Sequence, residues 1–537
     1  MVRSVGARRV WALGTVAAML VSAGCGASDR PVATVPAAAV KMAAQIVPEP
    51  VLVQPASGVS YQITSGAVIG TQPGSAAAAQ IGDYLAGLLR PSTGYALPVQ
   101  SGAAGGSAGG ISLLLFGAPA SVGAQGYELD VTAGGVTIRA QQPAGLFAGV
   151  QTLRQLLPAK SALAKAQPGP WPVPGGHILD YPRYAYRGAL LDVSRHFFGV
   201  ADVEHYIDEI SLYKINYLHL HLSDDQGWRI AINGWPKLTS VGGATEVGDV
   251  AGGYFTQADY TQIVEYAQAH YITVIPEIDM PSHVDAALAS YPQLGCLATA
   301  PAHYTQVQGA GSTLCDSAAT KQFISAVISQ LAAITPGPYL QIGGDEATTT
   351  PPATYSAVIS QAQTDAVAAG KTPIGWDAVA DAPLGPKTVL EYWRIPSQPA
   401  SQNFFTAAQK GAQVIMAPAD HAYLDQMYNP NQTLGLSWAG YVEVQNAYDW
   451  DPTTVAPGVP ASSVMGVEAP LWTETLSTVS DLEYMAFPRL PAIAEIGWSP
   501  QSTHNWTAFS VRLGAQAPLW KALGINYYKS PEVPWEQ

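Results

Sequence analysis

From Tyr181 onward the chain keeps one rhythm: a short apolar run, a cluster of polar residues, then a stretch of helical length. The apolar runs fall at 189–193, 217–222, 273–278, 340–342, 372–376, 389–393, 413–416 and 464–468. Runs this short, rich in Val, Ile, Leu and aromatics, read as buried strands, and helix-length connections between them favour parallel pairing. Eight such units in succession predict the α/β class, a (β/α)8 TIM barrel over residues 179–510. No fixed-length repeat accompanies the rhythm, which argues against solenoids and propellers.

Upstream the pattern changes. Short strands at 59–63, 111–116, 127–132 and 136–140 mix with helices near 76–89 and 145–157, so residues 51–178 read as a small α+β accessory domain. Its boundary is marked by Pro168-Gly169-Pro170-Trp171-Pro172, and the Gly/Ser/Ala stretch 101–110 reads as a mobile loop. Residues 26–50 are Ala/Pro/Val-rich without periodicity, which suits a flexible tether. Residues 511–537 read as a C-terminal helix and tail packed on the barrel.

The chemistry is most concentrated where the fourth barrel strand ends, at Gly343-Gly344-Asp345-Glu346. Successive strand residues face opposite sides, so two adjacent carboxylates reach one pocket only where the strand stops and the backbone turns. In a parallel barrel that is the catalytic edge. Two acids held close need not share an ionisation state, so one can donate a proton while the other stays charged. A capped strand end feeding a helix would look similar on its own.

Bulk properties narrow the field. The formal net charge is -14, and nothing basic clusters after residue 30, which argues against nucleic acid as a partner. Residues 1–25 form a targeting segment: Arg3, Arg8 and Arg9 precede an apolar stretch from Val10 to Val21, too short to span a membrane with confidence. Ser22-Ala23-Gly24-Cys25 resembles a bacterial lipoprotein cleavage site, with Cys25 the acylated residue. The expectation is an exported, lipid-anchored or secreted protein that meets the membrane only through that anchor. Cys296 and Cys315 are then an even pair, read as a disulfide in an oxidising compartment; with His303 alone nearby they make a poor zinc site.

Polar residues cluster at the other strand ends too: Asp192 to His196, His219 to Asp225, Glu277 to His283, Trp376-Asp377, Tyr392-Trp393, Tyr423 to Asp425 and Glu468 to Glu474. Carboxylates, one Arg and several Trp suit a neutral polyhydroxylated ligand, because the former bind hydroxyls and indole faces cover the apolar side of a sugar ring. The runs YRGALLDVSRHFF, YLHLHLSDDQGWR, EIDMPSH, IGGDEA, YLD and VEAPLWTET, in this order, resemble glycoside hydrolase family 20, the β-N-acetylhexosaminidases, and in particular its secreted bacterial members. The similarity spans about residues 125 to 500 and includes GYELDV and GLFAGVQTLRQLL of the accessory domain.

That resemblance implies an exo-acting enzyme that releases N-acetylhexosamine with retention and without a cofactor or metal. It implies Glu346 as general acid and then base. Asp345 would hold the N–H of the substrate's 2-acetamido group, and Tyr423 would donate to its oxygen. Arg195, Asp425 and Glu474 would bind sugar hydroxyls. Trp376, Trp393 and Trp472 would wall the acetamido pocket, and Trp438 would line the sugar site. Asp224 and His283 would form a relay tuning Glu346, with Asp345 raising the acid's pKa and protonated His283 lowering it. One residue departs from the family pattern: Gln341 stands where a His is usual, and it can replace one hydrogen bond but cannot titrate. Trp450 and Trp498 receive no role. Two other classes stay open: a metal-dependent barrel hydrolase using His219 and His221, and a non-catalytic glycan-binding lipoprotein.

Overall fold

The computed structural model describes residues 42, 44–102, 109–297, 299, 301–309 and 311–536. The targeting segment with Cys25, the tether up to residue 41 and most of the 101–110 loop lie outside them.

The first sheet has seven strands: β1 (Leu52–Gln62), β2 (Val68–Thr71), β3 (Val99–Ser101), β4 (Gly110–Leu114), β5 (Tyr127–Thr132), β6 (Gly135–Ala140) and β7 (Pro172–Asp180). Their order is β1-β7-β5-β6-β4-β2-β3. The helices Ala76–Thr93 and Pro143–Leu156 share a core with it, in which Leu85, Leu146 and Leu153 meet Ile69, Ile111 and Leu129. Two expectations change here. The proline-rich stretch that looked like a boundary leads instead into β7, which pairs antiparallel with both β1 and β5. A proline is tolerated there because Pro172 is the strand's first residue.

Nor does the tether reach residue 50. Met42, Ile46 and Val47 are fully buried. The N–H of Val47 donates to Gln155 Oε1 at 2.8 Å, while its carbonyl accepts from Gln155 Nε2 at 2.7 Å. Apolar side chains with partnered backbone make this a docked segment.

All eight expected barrel runs form strands: β8 (Tyr186–Asp192), β9 (Tyr217–His221), then, after a two-residue hairpin β10 (Thr245–Glu246) and β11 (Val250–Ala251), β12 (Thr273–Glu277), β13 (Tyr339–Gln341), β14 (Thr372–Trp376), β15 (Val389–Tyr392), β16 (Val414–Met416) and β17 (Val464–Leu471). They close as β12-β13-β14-β15-β16-β17-β8-β9, every neighbour parallel. Inside, Tyr186, Ile275, Ile374, Val389 and Ile415 form an apolar cluster. Two residues further along the strands comes a polar layer of His219, Glu277, Gln341, Glu391 and Glu468, all buried. Gly188 makes room for it: a Cβ there would stand 2.3 Å from Glu468 Oε2.

Trp498, at the end of the helix Arg489–Trp498, gains a role from the fold. Its indole N–H donates to Asp180 Oδ1 at 2.8 Å, and Lys214 reaches the other oxygen of Asp180 at 3.2 Å, so a buried acid of the accessory sheet is held by the barrel. Trp450 is buried in the barrel core, its N–H donating to Ala447 O. The C-terminal helical region starts earlier than expected, with helices Trp506–Gly514 and Ala517–Leu523; Trp520 is buried and its N–H donates to Tyr213 Oη at 2.5 Å.

Candidate active site

The acid pair is set by a turn that glycine permits. β13 stops at Gln341, whose Oε1 accepts the N–H groups of Ile342 at 2.9 Å and Gly343 at 3.1 Å. Gly343 and Gly344 then take φ of 70° and 106°. A Cβ on Gly343 would lie 1.7 Å from Asp279 Oδ1, the oxygen that accepts the N–H of Gly344 at 3.0 Å. Glu346 itself has φ 47°, a left-handed conformation that costs a non-glycine residue about 1–3 kcal/mol. The strain separates the two acids. Asp345 Oδ1 is sealed from solvent without a hydrogen-bond partner, whereas the Glu346 side chain is 58% exposed.

Behind Glu346 runs a chain of charges. His283 Nε2 lies 3.5 Å from Glu346 Oε2, and its Nδ1 lies 3.2 Å from Asp224 Oδ1. Asp224 also meets Arg195 Nη2 at 2.8 Å and His221 Nε2 at 3.0 Å. His221 is hydrogen-bonded in turn to Glu277, which accepts the indole N–H of Trp376 at 2.9 Å. Burial works against a charged His283, but the carboxylate of Asp224 outweighs it and raises the imidazole well above its usual range. Burial likewise works against Asp224, and the Arg195 and His283 charges hold it well below the usual carboxylate range. The hydrogen bond from His283 pulls Glu346 down, with burial opposing. Of the two influences expected on Glu346, the imidazolium prevails in the free enzyme.

Asp345 carries the opposite shift: burial raises it, His283 lowers it and the charge of Glu346 raises it again. Its neighbour Asp279 is pushed much further up, by burial and by Asp345 itself. Asp279 is thus the more readily protonated of the two, and its hydrogen bond favours the ionised form of Asp345. Sequence alone gives Asp279 no role. The signal was present: Glu277 and Asp279 are two apart at a strand end, hence on one face. Asp192 was also passed over, although its carboxylate accepts the N–H groups of Ser194, Arg195 and Thr473 and so fixes the β8 loop.

The remaining expected residues fall into two groups, the first reached by the charge of Asp345 through Tyr423. Trp376, Trp393 and Tyr423 form a buried apolar cluster with Leu190, and Trp472 packs against it. Trp438 stands at the rim, 42% exposed, its ring 5.7 Å from Trp393 and 5.9 Å from Tyr423. Burial raises the Tyr423 phenol well above its usual range, so it stays a donor. The second group is Arg195, Asp425 and Glu474. Arg195 is ion-paired to Asp224, and its guanidinium also stacks 4.9 Å from the Trp472 ring. Asp425 Oδ1 and Glu474 Oε2 are buried without partners. Burial raises both, Glu474 to about 7, and the charge of Glu474 raises Asp425 further.

A cleft of about 670 Å³ opens from Glu346 along Ser282, Gly309, Gly311, Tyr355 and Arg394. Two of these residues belong to the 296–315 loop, which Cys296 and Cys315 close as a disulfide with Cα atoms 4.9 Å apart. A recess of about 870 Å³ at the opposite end of the strands, near Thr372, Val389 and Gln413, is larger but carries no carboxylate. Two sets of interior donors have the spacing for a metal ion: Asp224, Asp279 and His283, and His219, Glu391 and Glu468. Both are spoken for by hydrogen bonds. His219, read as a possible metal ligand, bridges Glu468 at 2.8 Å and Glu277 at 3.0 Å.

An eight-stranded parallel barrel with an acid pair at β13, an indole-walled pocket and unpaired carboxylates is the architecture of a glycosidase. The comparisons agree. Residues 184–364 and 353–501 match the catalytic domain of glycosyl hydrolase family 20, and residues 43–181 match domain 2 of the same family. A β-N-acetylhexosaminidase of Cellulomonas fimi is 40% identical over 491 residues, covering 91% of this chain and 97% of its own. The GH20 β-N-acetylhexosaminidase structure from Streptomyces coelicolor A3(2) superposes with a TM-score of 0.88 at 52% identity, covering 92% of this chain and 99% of that one. A mutant Streptomyces plicatus β-hexosaminidase in complex with the product GlcNAc does so with a TM-score of 0.87 at 52% identity, covering 92% and 98%. The chain belongs to glycosyl hydrolase family 20.

Proposed function

We propose that the protein is an exo-acting β-N-acetylhexosaminidase that removes terminal β-linked N-acetylglucosamine or N-acetylgalactosamine with retention. The observation that carries this reading is Asp345 Oδ1, an unpartnered acceptor sealed from solvent next to a solvent-exposed acid, with a charge that reaches Tyr423 of the indole cluster. An acceptor so placed wants one N–H inside an otherwise apolar volume, and a sugar 2-acetamido group supplies both.

The acetamido oxygen attacks C1 while Glu346 gives its proton to the departing glycosidic oxygen; the C1–O bond breaks and an oxazolinium ring forms. Asp345 accepts the ring N–H and balances its charge, and Tyr423 aligns the oxygen by donating to it. Glu346, now a carboxylate, takes a proton from water, which attacks C1 and restores the acetamide. Two inversions give retention. Glu346 must start protonated, yet His283 lowers its pKa in the free enzyme. Substrate resolves this: a sugar over the exposed carboxyl removes its water and raises its pKa.

Turnover of a chromogenic β-N-acetylglucosaminide against the matching β-glucoside tests the reading. Only the first is hydrolysed on this mechanism; equal rates would remove substrate assistance. The leader supports a further reading from sequence alone, that the enzyme is exported and anchored through acylated Cys25. Cys25→Ser then releases it from the membrane fraction, and an unchanged distribution would refute the anchor.

A further inference from the structure

Three donor side chains converge on the outside of the barrel, away from the catalytic cleft. His205 and Glu209 stand four apart on the helix Val200–Leu212, which follows β8. Glu483 comes from the helix Val479–Ala486, which follows β17. Because β17 and β8 pair to close the barrel, the cluster joins its first and last units.

The geometry is poor for protons alone. His205 Nε2 is 3.0 Å from Glu483 Oε1 and 3.3 Å from Glu209 Oε1. One ring nitrogen holds at most one hydrogen, and only the Glu483 contact is aligned as a hydrogen bond. Glu209, 6% exposed, has Oε1 out of solvent with no aligned hydrogen bond, its contacts being the ion pair to that nitrogen and the neighbouring Glu483 carboxyl. Such an oxygen is costly unless something else satisfies it. The three donor atoms lie within 4.8 Å of one another. Ligands held at about 2.0–2.2 Å from one ion are themselves about 2.8–3.1 Å apart when octahedral and about 3.3–3.6 Å apart when tetrahedral, a span that includes the spacing His205 keeps to both glutamates.

We propose that His205, Glu209 and Glu483 bind a divalent cation of the zinc class, which clips the first barrel helix to the helix that follows β17. One imidazole with two carboxylates suits zinc better than magnesium or calcium, which prefer all-oxygen sites. The second oxygen of Glu483 is already oriented, accepting the N–H of Asn526 at 2.7 Å, so the clip also engages the C-terminal segment.

The test uses tag-free full-length protein stripped with EDTA and titrated with Zn²⁺ by calorimetry, beside His205→Ala and Glu209→Gln. The wild type takes up one equivalent that raises its melting temperature, and both variants lose that equivalent and that rise. Turnover without added metal is unchanged in His205→Ala, which shows that the variant is folded; should it not fold, His205→Gln takes its place. Co²⁺ in place of Zn²⁺ gives a visible ligand-field band in the wild type alone. Absence of a stoichiometric equivalent in the wild type overturns the proposal. So does its retention in the His205 variants, which would put the ion elsewhere, for instance at Asp224, Asp279 and His283.

Discussion

Two layers inside the barrel carry carboxylates, and the protein treats them in opposite ways. In the layer of Glu277, Glu391 and Glu468 the acids are enclosed by donors: His219 bridges two of them, Tyr186 donates to Glu468, Trp376 to Glu277 and Gln341 to Glu391. One oxygen, Glu391 Oε1, is left over. At the mouth above, Asp345, Asp425 and Glu474 each keep a buried oxygen without a partner. Folding disfavours that arrangement, so it persists where a ligand completes it. The lower layer holds the barrel together; the upper one waits for a sugar. Glu277 links them, through His221, Asp224 and His283, to Glu346.

The sharpest way to break this division is at the acid itself. Glu346→Gln should lower kcat/KM on an unactivated disaccharide by about 10²–10⁴-fold, the usual worth of positioned acid–base catalysis. A nitrophenyl glycoside, whose leaving group departs without a proton, should lose less. Equal losses on both substrates would mean that Glu346 is not the proton donor.

Next comes Asp345→Asn, which keeps the shape and removes the charge. We expect a fall in kcat of about 10²–10³-fold, comparable to losing one preorganised partner of a developing charge. Because that oxygen is unpaired in the free enzyme, the melting temperature should hold or rise. A variant that is both fully active and less stable would place Asp345 with the structural layer instead.

His283→Gln should have a smaller effect on rate, below about 10²-fold, and a diagnostic one on pH. Glu346 acts protonated, so activity falls as pH rises through its pKa. His283 holds that pKa low, and removing the imidazolium lets it rise. The alkaline limb of kcat/KM therefore moves to higher pH even as the maximum drops. A limb that stays put would show that His283 does not tune the acid.

How much of this was readable in advance follows the same physics. The eight barrel runs were legible because strands buried on both faces are uninterrupted apolar stretches, and the acid pair because Gly343-Gly344 announces a turn. β7 was not, since Pro172, Pro174, Gly175 and Gly176 read as a loop. Those glycines serve close packing: a Cβ on Gly175 would stand 2.6 Å from the Cβ of Val59, in β1. The docked segment at 44–50 was missed because it has no periodicity to read, its order coming from Gln155. The hydrogen bond between Asp279 and Asp345 needed two strand ends brought side by side, a contact that no local pattern encodes.

The mildest test falls on Gln341, the residue that departs from the family pattern. Its amide joins Glu391 to the first two N–H groups of the catalytic turn, at 3.0, 2.9 and 3.1 Å. An imidazole offers one donor and one acceptor, so it can keep the bond to Glu391 and one of the two N–H contacts, and Gln341→His should change kcat/KM and stability by only about 1 kcal/mol. Gln341→Leu offers neither and would leave two N–H groups and a carboxylate oxygen unpaired. We expect it to cost about 1–3 kcal/mol in denaturant unfolding. Its kcat should nonetheless fall less than that of Asp345→Asn, because the group removed supports the turn and touches no reacting atom. If Gln341→Leu instead matched Asp345→Asn in lost turnover at unchanged stability, the lower layer would be part of the catalytic machinery, and the boundary between support and chemistry would have to be drawn one residue deeper along β13.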